Sequence, residues 1–453
     1  MIRTDICVIG AGSGGLSVAA GAVQMGARTV LVEAGEMGGD CLNTGCVPSK
    51  ALLHAGRDGM DWQAAHAHVA ETIAAIAPHD SVERFEGLGV RVIKGFARFT
   101  GPQALEVGGE VIRARRYVIA TGGRPAVPPI PGLETVPYLT NETLFDLAER
   151  PNHLLILGAG PIGAEMAQAH RALGCEVTLV EAAEALARED PEARALVLER
   201  LRADGIRIVE NAPAVAVQPV DGGVALQTED GARLTGSHLL VAAGRVPATE
   251  GLGLEAAEVH ATRAGITVDA RMRTTNRRIY AIGDVSGGAQ FTHVAGYQAG
   301  VILRSMLFGL RAKARTDHIP RVTYTRPELA QIGPTEAEAR EQYGRKLSVV
   351  RADFAGNDRA LAEGETGGFV KVLVVKGRPV GVTIASPDAG EQIGLWALAI
   401  SNRLKLSALA GTVLPYPTRG EISKRAAGAY FSPRLFDNPW VKRVVRAVQR
   451  LVP

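Results

Sequence analysis

Cysteine is scarce in this chain of 453 residues. There are four, too few for the disulfide lattice of a secreted scaffold. Aromatic residues are thin at 5%, and no apolar run nears the ~18 residues that a membrane-crossing helix needs. The first residues, MIRTDICVIG, lead straight into a strand pattern, without an apolar leader and cleavage site. Neither sign of charge prevails: 50 Lys and Arg stand against 47 Asp and Glu, a net charge of +3. That balance argues against a nucleic-acid partner. Shares of 46% apolar and 21% charged residues exclude disorder. The length predicts two to four domains at roughly 100–200 residues each. A soluble, multidomain, cytoplasmic protein is expected.

Glycine is plentiful, with 53 residues, and its placement is informative. Asp5 to Gly15 reads DICVIGAGSGG, an apolar strand followed by Gly10, Gly12 and Gly15 opening an Ala-rich helix. The next apolar stretch, Thr29–Val32, ends on Glu33. The same unit returns at His153: HLLILGAGPIG carries Gly158, Gly160 and Gly163, and the following strand pattern ends on Glu181. In both copies 23 positions separate the first glycine from the acid. One such pattern is weak evidence and two are strong. The first glycine permits a tight turn and the second lets a pyrophosphate approach the backbone. The third lets helix pack on strand, with the helix N-terminus facing the phosphates. The strand-end carboxylate accepts hydrogen bonds from a ribose diol and repels a 2′-phosphate. Two bound dinucleotides are predicted.

The repetition continues in YVIATGGRP (Tyr117–Pro125) and HLLVAAGRVP (His238–Pro247), each a strand pattern running into a Gly- and Arg-containing turn. Thr121, Gly122 and, in the second copy, Gly244 are candidate cofactor contacts at these turns. RIYAIGDV ends in Gly283-Asp284, where Asp284 suits either a polyol hydroxyl or a helix N-cap.

Between the two glycine motifs lies GGDCLNTGCVPSK, with Cys41 and Cys46. Five residues of regular helix rise about 7.5 Å, beyond the ~7 Å Cα limit for a disulfide. Asn43, Thr44 and Gly45 must therefore distort the turn. Such a pair in a cytosolic protein is more often catalytic or metal-binding than structural. No second Cys pair or nearby His supplies two further zinc ligands, so no resident metal is expected and the pair is read as a redox centre. Cys7 and Cys175 read as small buried hydrophobes.

Taken together, these motifs resemble the class I flavoprotein disulfide reductases, the family of dihydrolipoamide dehydrogenase, glutathione reductase and mercuric reductase. The likeness runs from Asp5 to about Lys424. It implies an α/β fold class: two Rossmann-like dinucleotide-binding domains, for FAD and NAD(P)H, and a C-terminal α+β dimerisation domain. The implied order is an FAD part at 1–148, the NAD(P)H domain at 149–268, a second FAD part at 269–318, and the dimerisation domain with a basic C-terminal helix at 319–453. A homodimer follows. Gly10, Gly12, Gly15 and Glu33 then match FAD, and Gly158, Gly160, Gly163 and Glu181 match the nicotinamide cofactor. Asp284 matches the ribitol contact, Lys50 the lysine beside the flavin, and Glu165 its ion-pair partner. Cys46 is the implied flavin-side sulfur and Cys41 the interchange sulfur.

Two departures bear on the electron acceptor. Family members that act on dithiols carry His-Pro-Thr-x-x-Glu near the C-terminus. Here LPYPTRGE keeps Pro417, Thr418 and Glu421 but places Tyr416 at the His position. His titrates near 6.5 and Tyr near 10, so regaining a neutral-pH base costs about 4–5 kcal/mol. Rate effects of roughly 10²–10⁴-fold are at stake. His293 is the nearest substitute by family position. Mercuric reductases also place Tyr at this position, which tilts the acceptor toward a metal ion or another non-thiol. They add a C-terminal Cys pair, absent from RAVQRLVP, and a helix Tyr for which Phe85 is the counterpart here. Dihydrolipoamide dehydrogenase is the alternative, and a flavin-containing sensor with vestigial turnover an alternative of another class. NADH is expected over NADPH, because EAAEALARED, the run that starts at Glu181, has no basic residue before Arg188. Asn438–Leu451 forms a basic amphipathic helix pattern, expected to pack on its own dimer rather than on a membrane or partner. His66 and His68 are read as solvated.

Overall fold

The computed structural model describes residues 1–452; Pro453, the last residue of the 319–453 assignment, lies outside them. By its contacts the chain divides into two units, Met1–Glu184 with Gly205–Arg315, and Ala185–Asp204 with Thr316–Pro453.

In the first unit the strand Ile2–Ile9 is central. It pairs in parallel with Thr29–Glu33 on one side and Glu110–Ile119 on the other. Arg91–Lys94 extends the sheet beyond Thr29–Glu33, and Ile279–Ala281 joins in parallel to the end of Glu110–Ile119. A strand covered on both faces needs apolar residues pointing both ways. Cys7 and Ile9 accordingly enter one core with Phe99 and Tyr117, while Ile6 and Val8 enter another with Leu16, Leu31 and Phe85. Each large side chain fully buried in this way contributes about 1.5–3 kcal/mol. Burial raises the thiol pKa of Cys7, and that of Cys175 to about 11, in keeping with their reading as inert hydrophobes. Phe85, by contrast, is 1% exposed within the core. Buried there, it has no face open to a substrate.

The second copy builds a four-stranded parallel sheet in the order Arg207–Val209, Glu176–Val180, His153–Leu157, His238–Val241. The Gly- and Arg-containing turns of the two repeats meet as an antiparallel ribbon, Gly123–Pro125 against Arg245–Pro247. On the helix Trp62–Ile76 the sequence expectation for His66 also needs correction. His66 is half-buried, its ring 4.3 Å from that of Trp62, and burial lowers its pKa.

In the second unit five antiparallel strands run in the order Pro320–Thr323, Glu328–Ile332, Arg378–Ser386, Phe369–Val375, Leu347–Asp353. Trp396, Phe354 and Ile422 fill the core, and the Trp396 indole donates to Ser423 Oγ at 3.0 Å. The helix Pro191–Ala203, which the sequence reading places inside the 149–268 domain, packs here on Glu328–Ile332 and Arg378–Ser386. The reason is electrostatic as well as apolar. Lys371, 4% exposed in the middle of a strand, meets Asp190 at 3.0 Å and Glu192 at 2.9 Å. Asp190 in turn caps the helix by accepting from the amides of Glu192 and Ala193. Removing one partner of a buried pair strands the other's charge. Lys371→Met should therefore lower the stability of this unit by about 3–5 kcal/mol, read from the denaturant midpoint. A loss under ~1 kcal/mol would show that Asp190 finds compensation elsewhere.

Candidate active site

The cysteine segment is shaped by the break its sequence requires. A short helix, Gly39–Asn43, stops at Thr44, and a second, Cys46–Arg57, starts after Gly45. A Cβ on Gly45 would lie 2.8 Å from the Asp40 carbonyl oxygen, so the turn between the cysteines demands glycine. Asn43 Nδ2 ties the turn down by donating to the carbonyls of Met37 at 3.0 Å and Gly39 at 2.8 Å. The two cysteines are neighbours, and the Cys41 thiol interacts with the Cys46 sulfur through a hydrogen bond.

Their electrostatics are opposite. Cys46 is lowered to about 6, first by the hydrogen bond from Cys41 and then, against its own burial, by Thr292 and the charge of Lys50. Cys41 is pushed far up, because it donates to the Cys46 sulfur and is partly buried. The Thr292 hydroxyl lies 3.3 Å from Cys46 Sγ and stands at the start of the 17-residue helix Thr292–Phe308. Its position sets the helix N-terminus toward a thiolate. Lys50 is one helical turn beyond Cys46, and its Nζ is held by Glu165 Oε2 at 2.7 Å. Glu165 is 4% exposed on the helix Pro161–Ala172 of the second repeat. The structure thus brings Cys41, Cys46, Lys50 and Glu165 together.

The two glycine turns match in detail. Gly10 and Gly158 have φ of +102° and +108°. A Cβ on Gly15 would fall 1.8 Å from the Gly10 carbonyl oxygen, and one on Gly163 1.9 Å from that of Gly158. Gly12 and Gly160 open onto free space. Glu33 Oε2 accepts from the Ala11 amide at 2.5 Å, and Glu181 Oε2 from the Ala159 amide at 2.7 Å. Each site therefore has a Cβ-free approach to a helix N-terminus with a carboxylate at its edge, which fits a dinucleotide. Thr121 Oγ1 donates to the Ala248 carbonyl at 2.8 Å, Gly122 has φ of +71°, and Gly244 has φ of +122°.

Sequence reasoning missed the residues that join these parts. Arg245 lies 2.5 Å from Asp40 and 3.4 Å from Asp284. Asp40 Oδ1 also accepts from Asn141 Nδ2 at 2.9 Å and from the Thr44 hydroxyl. Burial raises the pKa of Asp284, partly offset by Arg245. Only Arg245 left a signal, in the doubled Gly- and Arg-containing turns. Among the described residues, no group of three or more His, Cys, Asp and Glu is arranged to hold a metal ion.

Tyr416 and Glu421 belong to the second unit. Tyr416 is 70% exposed, and its hydroxyl donates to Asp358 Oδ2 at 2.8 Å, which raises the phenol pKa. Glu421 opens the helix Glu421–Ala429. His293 is exposed and stacks on Phe291 at 5.3 Å.

The chain matches the Pyridine nucleotide-disulphide oxidoreductase family over residues 4–299 and that family's dimerisation domain over 319–427. It is 35% identical over 448 residues to a mercuric reductase of Bacillus cereus, covering 93% of this chain and 70% of that protein. It is 36% identical over 453 residues to a dihydrolipoyl dehydrogenase of Thermus scotoductus, covering 94% and 97%. The solved Cu(II) complex of RclA, an HOCl-induced flavoprotein disulfide reductase of Escherichia coli, superposes with a TM-score of 0.89 at 30% identity, covering 94% and 99%. Motifs, sheet topology and likeness along the chain agree: this protein belongs to the class I pyridine nucleotide-disulfide oxidoreductases, enzymes that use FAD and a nicotinamide dinucleotide.

Proposed function

We infer that the chain forms a homodimeric flavoenzyme that draws electrons from NADH and passes them through Cys41 and Cys46 to a metal ion or another non-thiol acceptor. The observation that carries this is Tyr416. A thiol-disulfide acceptor needs a group that takes up and returns a proton near neutral pH. The Tyr416 phenol, donating to Asp358 with its pKa raised, holds its proton instead. A soft metal ion asks for sulfur ligands rather than a base. Relatives named as mercuric reductases and the Cu(II) complex of the Escherichia coli relative support the same reading.

FAD, when bound, supplies acceptance of a hydride from the reduced nicotinamide and two-electron delivery to the sulfur pair. The protein's part is to set the protons. Opening a Cys41–Cys46 disulfide takes two electrons and breaks the S–S bond. At neutral pH one proton completes it, because Cys46 stays a thiolate and Cys41 takes the proton. Lys50, fixed by Glu165, favours the charge on Cys46. Asp40, anchored by Arg245 and Asn141, steadies the turn that carries Cys41. Gly10, Gly12, Gly15 and Glu33 would hold the FAD pyrophosphate and ribose, with Asp284 on the ribitol. Glu181 at the edge of the second glycine turn supports NADH, since a 2′-phosphate would meet its charge.

The test is an acceptor panel of lipoamide, glutathione disulfide, Hg(II), Cu(II) and quinones, run with NADH and NADPH on the unaltered protein and on Tyr416→His. A metal ion or quinone should exceed both disulfides, and Tyr416→His should raise disulfide turnover by about 10²–10⁴-fold. Efficient lipoamide turnover by the unaltered protein would instead establish a dihydrolipoamide dehydrogenase. That second reading is favoured by the near full-length likeness to the Thermus scotoductus enzyme.

A further inference from the structure

We propose that the helix Pro439–Leu451 is an in-plane anchor for an anionic lipid surface. It is a 13-residue helix, capped by Asn438 Oδ1 accepting from the Trp440 amide at 2.9 Å, and it buries no residue. The sequence reading expects it to pack on the dimer. Yet it lies beyond the stretch, 319–427, that matches the family's dimerisation domain. Its two faces are cleanly separated. At 100° per residue, Trp440, Val441, Val444, Val445, Val448 and Leu451 fall on one arc, while Lys442, Arg443, Arg446 and Arg450 fall on the other. Trp440 is 70% exposed, and the preceding short helix adds the exposed Phe436.

The charge decides the occupant. From Asn438 to Val452 there are four cations and no acid. The cations lie opposite the apolar arc, so a second copy docked on that arc would leave all eight in water without a counter-charge, whereas an anionic headgroup layer covers the apolar arc and attracts the cations, with Lys442 and Arg443 at its flanks. Uniform basicity beside an apolar stripe that carries Trp is the chemistry of an interfacial helix. The helix is far too short to span, and among the described residues none is long and apolar enough to cross a membrane.

The experiment uses the full-length flavoprotein with vesicles of phosphatidylcholine alone or mixed with phosphatidylglycerol. Co-sedimentation should occur with the anionic vesicles only and fall as salt is raised. Tryptophan emission should shift to the blue on binding. The other two tryptophans, Trp62 and Trp396, are 8% and 0% exposed, so the shift reports Trp440. Each cation contributes about fivefold, so the triple variant Arg443→Gln, Arg446→Gln, Arg450→Gln should weaken binding by roughly 100-fold. NADH oxidation in solution should be unchanged. Val444→Glu with Val448→Glu, which spares every cation, should also abolish the blue shift. Equal binding to neutral vesicles, no binding to either, or an unaffected triple variant would overturn the proposal. So would dissociation of the dimer in either variant, which would place the helix on a second copy, or a blue shift produced only by an acidic protein.

Discussion

Cys46→Ser should reduce NAD(P)H-driven acceptor turnover by roughly 10³-fold or more, the scale seen when a reacting side chain is removed outright. Bound flavin should be retained. The reason lies in how unequal the two sulfurs are. Cys46 is lowered to about 6 and Cys41 raised, so in the reduced enzyme the negative charge resides on Cys46. A serine in its place holds its proton throughout the working range and can neither carry that charge nor form the S–S bond. Cys41→Ser should be as inactive but should keep a lone thiol at Cys46. The long-wavelength thiolate-to-flavin absorption of the reduced protein should therefore persist in Cys41→Ser and vanish in Cys46→Ser. In the unaltered protein the same absorption should fade as the pH drops through about 6, because protonation removes the thiolate. Its persistence well below that pH would show that Thr292 and Lys50 hold the charge more firmly than their geometry implies. Fading in Cys41→Ser alone would reverse the roles of the two sulfurs.

Gly12→Ala should give a folded protein that binds FAD about 10–100-fold more weakly, the result of a methyl group costing 1–3 kcal/mol in a tight contact. No protein atom lies within 4 Å of the added Cβ, so the chain has no cause to distort. Only the approach of a pyrophosphate is obstructed. Gly15→Ala should behave differently, because its Cβ would overlap the Gly10 carbonyl oxygen at 1.8 Å. That substitution pries helix from strand and should lower stability as well as flavin content. In the second repeat, Gly160→Ala should leave the flavin in place and raise KM for the nicotinamide nucleotide alone. Comparing flavin content, melting temperature and KM across the three variants checks the assignment. Loss of flavin in Gly160→Ala, or unchanged flavin affinity in Gly12→Ala, would contradict it.

The parts of this molecule that were legible in the sequence are those whose physics is local. Gly10 and Gly15 lie five positions apart, and a close approach between neighbours in the chain must leave its mark in residue type. Gly45 shows the same for the cysteine turn. Arg245, Asp40 and Asn141 act together although about a hundred residues or more separate each from the next. No spacing rule connects them. That Phe85 is turned into the core was not legible either, because position along the chain does not say which way a short helix faces. The buried side of Pro191–Ala203, with Ala193, Val197 and Leu201, does not name the sheet that covers it. Lys371, a lone cation within FVKVLVV, has three acidic partners that come from other segments, so the strand's own sequence carries no sign of them.

The excursion of residues 185–204 into the second unit has a consequence for synthesis on the ribosome. The helix Pro191–Ala203 leaves the exit tunnel long before its sheet and before Lys371, which lies 181 positions after Asp190. During that interval Asp190 and the apolar side chains Val197 and Leu201, both fully buried in the finished protein, wait without the strands they pack on. The nascent chain thus carries an apolar helix in search of its seat until the last third of the protein has emerged, a window in which chaperones or a neighbouring nascent chain would find it first.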